Sequence, residues 1–242
     1  VSGPRTRATP RGFLFDFGGT LVEEVAFDTR AGLELLLART VSPPSATNAA
    51  KIFERAERVT REVGDRRDRF QIETPWISLT RLIHDYFGTR FTAPLAELEL
   101  AFWDASIVTR PMPGARDTLL ELRRTGIPMG VISNSSFGQA TIRHELAKHG
   151  LSEVLDIIVV SAEYAVRKPN PLLFEAAAGL LGVPCADVWF VGDRLDTDIA
   201  GARAAGMTAV WYAPSKADQG GDADIIVSAW SDLAMIVRDA TA

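Results

Sequence analysis

An acid, a hydroxyl–amide pair, a lysine and a second acid recur in this 242-residue sequence, most of them ending a short apolar run. Asp16 closes "GFLFD" and enters a Gly-Gly-Thr turn; Ser133 and Asn134 follow "GVI"; Lys168 stands in "VRKPNP"; Asp193 closes "WFVGD", with Asp196 and Asp198 just beyond. Two carboxylates brought together repel and raise each other's pKa unless a cation lies between them, so Asp16 and Asp193 suit hard oxygen ligation of Mg²⁺. A lysine, a serine hydroxyl and loop N–H groups beside such a cation would hold an anion with several oxygens. Gly19 and Thr20 supply that loop, the Thr20 hydroxyl being expected to support the turn by hydrogen bonding. The chemistry described is that of a phosphate site.

Such a set works only if the fold brings it together. From Gly126 onward the chain alternates short β-branched runs with Ala- and Leu-rich helical patterns. "IPMGVIS", "LDIIVVS", "DVWFVGD", "MTAVWYA" and "ADIIVS" read as buried strands, and the segments between them as helices, several closed by glycine. With "GFLFDF" added, the pattern is that of a doubly wound, mostly parallel α/β sheet of about six strands. Ligands of such sheets bind outside the carboxyl ends of the strands, where Asp16, Ser133 and Asp193 fall.

Between Val22 and about Val108 the 3.6-residue period takes over. "FDTRAGLELLLART", "ATNAAKIFERAERVTREVG", "PWISLTRLIHDYFG" and "PLAELELAFWDASIV" read as four amphipathic helices, separated by "VSPPS", "GDRRDRF" and "GTRFTAP". The expected division is therefore an α/β core of residues 1–22 and 108–242 with a helical module, 23–107, inserted after the first strand. "RPMPG" (110–114) marks the return to the core. The charge run from Arg55 to Phe70 reads as a solvated face, and Trp76 and Trp103 as packing between the module's helices. His84, His144 and His149 share no metal-ligand spacing and are assigned no chemistry.

Composition narrows the partners. A formal charge of −5 and a pI near 5.3 argue against general affinity for nucleic acid or an anionic membrane. Cys185 is the only cysteine, so no intrachain disulfide forms, and it reads as a small buried or loop residue. No run of apolar residues is long enough to span a bilayer, and the Arg- and Pro-rich start lacks the apolar core of a signal peptide. The expectation is a cytoplasmic protein with a short ragged N-terminus, acting on a small phosphorylated metabolite.

Taken in order, the four motifs resemble the haloacid dehalogenase-like hydrolase superfamily, in particular members with a helical cap after the first strand. "DFGGTL" matches the first motif, D-x-D-G-T-[L/V], except at Gly18; "GVISNSS" matches the second, Lys168 in "RKPNPLLF" the third, and "VGDRLDTD" the fourth. The resemblance implies that Asp16 is a nucleophile forming an aspartyl-phosphate, and that Asp16, Asp193 and the Gly18 carbonyl ligate Mg²⁺. It implies that Ser133 and Lys168 hold the phosphoryl oxygens, that Asp198 or its neighbour Asp196 steadies the metal shell, and that Asn134 orients the substrate or the nucleophile.

Gly18 replaces the aspartate that, in phosphatases of this superfamily, protonates the leaving group and activates water. General acid–base catalysis contributes about 10²–10⁴-fold, so a slow phosphatase is the expectation, its base coming from a cap residue, from Asp196 or from no residue. The alternatives are dehalogenase-like or phosphonate hydrolase chemistry, or a catalytically quiet protein binding a phosphorylated ligand or partner. The acid cluster of "VGDRLDTD" counts against the dehalogenase, and the want of a recognisable cap lysine beyond Lys51 against the phosphonate hydrolase.

Overall fold

The computed structural model describes residues 9–214 and 222–241; the expected ragged start falls largely outside them. In chain order the elements are β1 (Gly12–Phe15), β2 (Val22–Phe27), α1 (Thr29–Ala38), α2 (Ala46–Phe70), α3 (Trp76–Tyr86), α4 (Leu95–Ser106) and β3 (Ile107–Pro111). There follow α5 (Ala115–Arg123), β4 (Met129–Ser133), α6 (Gln139–Lys148), β5 (Ile157–Val160), α7 (Ser161–Tyr164), α8 (Pro171–Leu181) and β6 (Val188–Gly192). A π-helical turn (Leu195–Ile199), α9 (Ala200–Ala204), β7 (Thr208–Tyr212), β8 (Ile225–Val227) and α10 (Trp230–Thr241) complete the order.

The main sheet is the doubly wound one anticipated: six parallel strands in the order β5-β4-β1-β6-β7-β8. Strand alternation splits its side chains between two faces. Phe13, Phe15, Val131 and Val191 join one apolar cluster, while Leu14, Ile132, Phe190 and Ala209 join the other with α8 and α9. Burial on both faces explains why the strands read as continuous apolar runs rather than alternating ones. The chain leaves β1 for β4 and β5 on one side and later for β6, β7 and β8 on the other. The switch of direction therefore opens beside β1, where Asp16 emerges.

The region 23–107 departs from expectation in two places. It is entered and left through an antiparallel ribbon, β2 with β3, in which Glu23 faces Arg110 and Glu24 faces Thr109. "VEEVAF" hid this strand because most of the ribbon is exposed and a bulge between Glu24 and Ala26 breaks the alternation. The segment "GDRRDRF" is not a separator either. It continues α2 to Phe70, because a glycine costs a helix only about 1 kcal/mol, Arg and Asp are tolerated, and no proline intervenes. Gln71, in a left-handed conformation, stops the helix by donating to the Arg67 carbonyl.

Helices α1, α2 and α3 share a small core of their own around Leu37, Ile52 and Ile83. The block is anchored on the α/β core by buried acids. Glu99 of α4 accepts from the Gly138 N–H and from Thr141 Oγ1 at the start of α6. Glu145 of α6, fully buried, accepts from Trp103 Nε1 at 2.6 Å and from Thr109 Oγ1. The two tryptophans pack between block and core, not among the block's helices alone: Trp103 lies edge-on to Phe137, and Trp76 stacks on it. No helix among the described residues is long and apolar enough to cross a membrane.

Candidate active site

Each core strand beside the switch point delivers one polar residue. Asp16 follows β1, Ser133 ends β4 and Asp193 follows β6, while Lys168 enters from the loop before α8. Lys168 is 3% exposed, and its ammonium donates to Asp16 Oδ1 at 2.5 Å, Asp198 Oδ1 at 2.7 Å and the Ile132 carbonyl at 3.0 Å. All three ammonium protons are thereby used, which makes the burial of this charge tolerable. Asn134 holds the lysine backbone from both sides: its side-chain carbonyl accepts from the Lys168 N–H, and its amide donates to the Lys168 carbonyl. It thus places the lysine, a role that the sequence pattern did not reveal.

Asp16, Asp193 and Asp198 each present an oxygen within 4.8 Å of the others. Burial pushes the Asp16 carboxyl up to about 7, with Lys168 opposing and Asp198 and Asp193 adding to the rise. Burial and Asp198 likewise raise Asp193. Asp193 Oδ1 is buried without a hydrogen-bond partner. Three converging carboxylates, two with raised pKa values and one with an orphaned oxygen, fit a hard divalent cation such as Mg²⁺. Asp198 is 1% exposed, ties to Lys168 on one oxygen and accepts from the Arg194 N–H on the other. Asp196 is different: it is exposed and paired with Arg194, which lowers its pKa.

The glycines of this rim are set by close approach. Gly19 sits at φ +80°, and a β-carbon there would lie 2.7 Å from Asp193 Oδ2. Its N–H donates to the Val22 carbonyl, so its contribution is steric space for the acid rather than a free donor. A β-carbon at Gly192 would lie 2.5 Å from the Asp198 carboxyl carbon. Gly18, in contrast, has nothing within 4 Å of that position. The expected Thr20 turn hydrogen bond does not form; its hydroxyl is buried and has no partner among the described residues.

Asp16, Gly18, Ser133, Asn134, Lys168 and Asp198 floor a cavity of about 710 Å³ that continues under the helical block. Its walls include Phe17, Trp103 and Ile107 on the apolar side and Arg67, Gln71 and Arg167 on the polar side. The expected solvated face of α2 therefore holds except at its end, where Arg67 and Asp68 turn to the cavity. Arg167 is tied to Glu73 at 2.6 Å and to Asp68 at 3.6 Å. Glu73 also accepts from Ser161 Oγ, and Ile72 pairs with Val166, so the loop after α2 is stitched to the segment that carries Lys168. The three histidines lie elsewhere: His84 is buried in the block without a partner, His144 pairs with Asp104, and His149 with Glu145.

The chain resembles known proteins. The chain is 40% identical over 102 residues to a glyceraldehyde 3-phosphate phosphatase of Methanopyrus kandleri, a stretch covering 42% of each protein. It is 29% identical over 156 residues to the glyceraldehyde 3-phosphate phosphatase of Pyrococcus abyssi, covering 58% of this chain and 65% of that one. The matched stretches thus span less than two thirds of those relatives. Among solved structures, a 2-haloacid dehalogenase from Pseudomonas syringae superposes with a TM-score of 0.62 at 23% identity, covering 95% of this chain and 98% of that one. A phosphatase from Thermococcus onnurineus gives 0.59, also at 23% identity, with 93% and 97% covered. These two share the fold. A model of the haloacid dehalogenase-like hydrolases matches residues 10–206, and the chain belongs to that family.

Proposed function

We propose that the chain is a Mg²⁺-dependent phosphomonoesterase acting on small phosphorylated metabolites, with Asp16 as nucleophile. The observation that carries this reading is the convergence of Asp16, Asp193 and Asp198 around one point, with Lys168 bonded to both Asp16 and Asp198. Asp16, Asp193, Asp198 and the Gly18 carbonyl would hold the ion, which when bound neutralises charge on the phosphoryl oxygens. Asp16 attacks phosphorus and forms the aspartyl-phosphate as the ester oxygen departs; water then breaks the acyl–phosphate bond. Lys168 and Ser133 bind the phosphoryl oxygens through both steps, and Asn134 keeps Lys168 in register.

Residues 23–107 act as a cap that closes the cavity and selects the substrate, and the β2–β3 ribbon is the connection on which it moves. The two relatives described above are named for glyceraldehyde 3-phosphate, a three-carbon phosphate ester. Gly18 itself offers no acid or base to the leaving group or to the attacking water. A haloacid dehalogenase needs no three-carboxylate cluster, and for that reason phosphate is the preferred substrate.

Assaying p-nitrophenyl phosphate with and without Mg²⁺, beside a chloroacid release assay, tests the reading. Metal-dependent phosphate release that falls by about 10³-fold or more in Asp16→Asn is expected. No metal-dependent release, or Asp16→Asn equal to wild type, overturns it.

A further inference from the structure

The phosphatase reading leaves one step without a residue, since Gly18 cannot carry the proton of the leaving group or of the attacking water. Five carboxylates line the cavity: Asp16, Glu24, Asp68, Asp196 and Asp198. Four are engaged, Asp16 and Asp198 with Lys168, Asp68 with Arg67 and Arg167, and Asp196 with Arg194. Of the five, only Glu24 has a side chain without a hydrogen bond or ion pair among the described residues.

Its direction is fixed by the ribbon. Strand alternation sends Glu23 outward to Arg110, at 2.6 Å, and puts Val22 and Glu24 on the cavity side. Val22 pairs with Gly18 itself, so Glu24 stands two residues along the strand from the residue that pairs with the position lacking its carboxylate. A β-carbon at Gly18 would meet empty space, and that space lies open to the cavity that Glu24 lines. Across the ribbon, Thr109 is tied to buried Glu145, which steadies the strand that Glu24 pairs with.

We propose that Glu24 is the acid/base of this site, a role that rests on the phosphatase reading. In the first step the Asp16 oxygen bonds to phosphorus, the ester P–O bond breaks, and the Glu24 carboxyl gives its proton to the departing oxygen. In the second, water bonds to phosphorus as the Asp16–phosphorus bond breaks, and the Glu24 carboxylate takes the water's proton. The carboxyl and the free Asp16 are both restored.

The test compares wild type, Glu24→Gln and Asp16→Asn on phenyl phosphate and p-nitrophenyl phosphate with Mg²⁺. Glu24 is exposed and makes no contact that folding needs, so Glu24→Gln melts at the wild-type temperature. Its kcat falls about 10²-fold or more on phenyl phosphate, and less on p-nitrophenyl phosphate, whose leaving group needs no proton. One limb of the pH–rate profile disappears, and acid quenching traps phosphate on Asp16. Asp16-dependent activity in wild type, with kcat and pH profile unchanged in Glu24→Gln, overturns the role of Glu24 and leaves the phosphatase reading standing. Absence of any Asp16-dependent phosphate release overturns both.

Discussion

The rim of the α/β core and the helical block bury charge by opposite strategies. At the rim, Lys168 is buried against two acids and a carbonyl, so each charged group is compensated by another that the fold delivers to the same point. In the block, His84 is 2% exposed with both ring nitrogens unpartnered among the described residues, its ring tilted against Phe91 at 4.6 Å, and burial drives its pKa down to about 4. One region holds its charges in place; the other keeps the buried His84 ring neutral. The difference suits their tasks, because a rim that binds an anion and a cation needs fixed charge, whereas a block that covers it needs only apolar packing and a few docking contacts.

The comparison breaks most sharply at Lys168. Lys168→Met leaves Asp16 and Asp198 buried without their cation, and stripping one partner from a buried pair costs about 3–5 kcal/mol. Denaturant melts in chelator should show that loss, and added Mg²⁺ should recover part of it by supplying a substitute charge. A variant as stable as wild type in chelator would mean that the rim is not charge-balanced through this lysine.

His84 gives the next largest effect and the opposite chemistry. Its folded pKa lies below its ordinary value of 6.5, so between about pH 4 and 6.5 the unfolded chain binds more protons than the native one. Stability therefore rises with pH across that window and is lost as pH falls through it, by about 2–3 kcal/mol in all. His84→Phe should flatten that slope in melts recorded from pH 4 to 7. At the rim the sign is reversed: Asp16, raised to about 7 from 3.8, favours the metal-free fold when protonated, a contribution lost as pH rises toward 7.

The smallest effect concerns Gly18. Since a β-carbon there meets nothing within 4 Å and its φ is not positive, Gly18→Asp should fold normally. It should raise turnover of phenyl phosphate by up to about tenfold, and that of p-nitrophenyl phosphate by less, because only the poorer leaving group needs a proton. Equal gains on both would mean that protonation of the leaving group is not the step that Gly18 weakens.

The same contrast decides what could be read in advance. Strand ends announce themselves, since a doubly buried strand is a continuous apolar run and the first polar residue after it lies on the rim; Asp16, Ser133 and Asp193 were legible for that reason. Glu99 and Glu145 were not, because a glutamate in an amphipathic helix looks the same whether it meets water or a partner's N–H. The ribbon escaped notice because its bulge breaks period two, and Glu24 with it. The place of Arg67 and Asp68 at the cavity depended on α2 running past Gly64, which composition did not favour.

The sequence by itself determined the parallel sheet, the order of its motifs and the acids on its carboxyl rim, because apolar period and strand ends are local properties of the chain. Only the tertiary structure decided which groups pair with which: that Asn134 grips the Lys168 backbone, that Lys168 joins Asp16 to Asp198, and that Glu24 faces the cavity with its side chain unpaired among the described residues. Those choices arise from contacts between residues far apart in sequence, whose energies depend on distance and burial that no local pattern encodes.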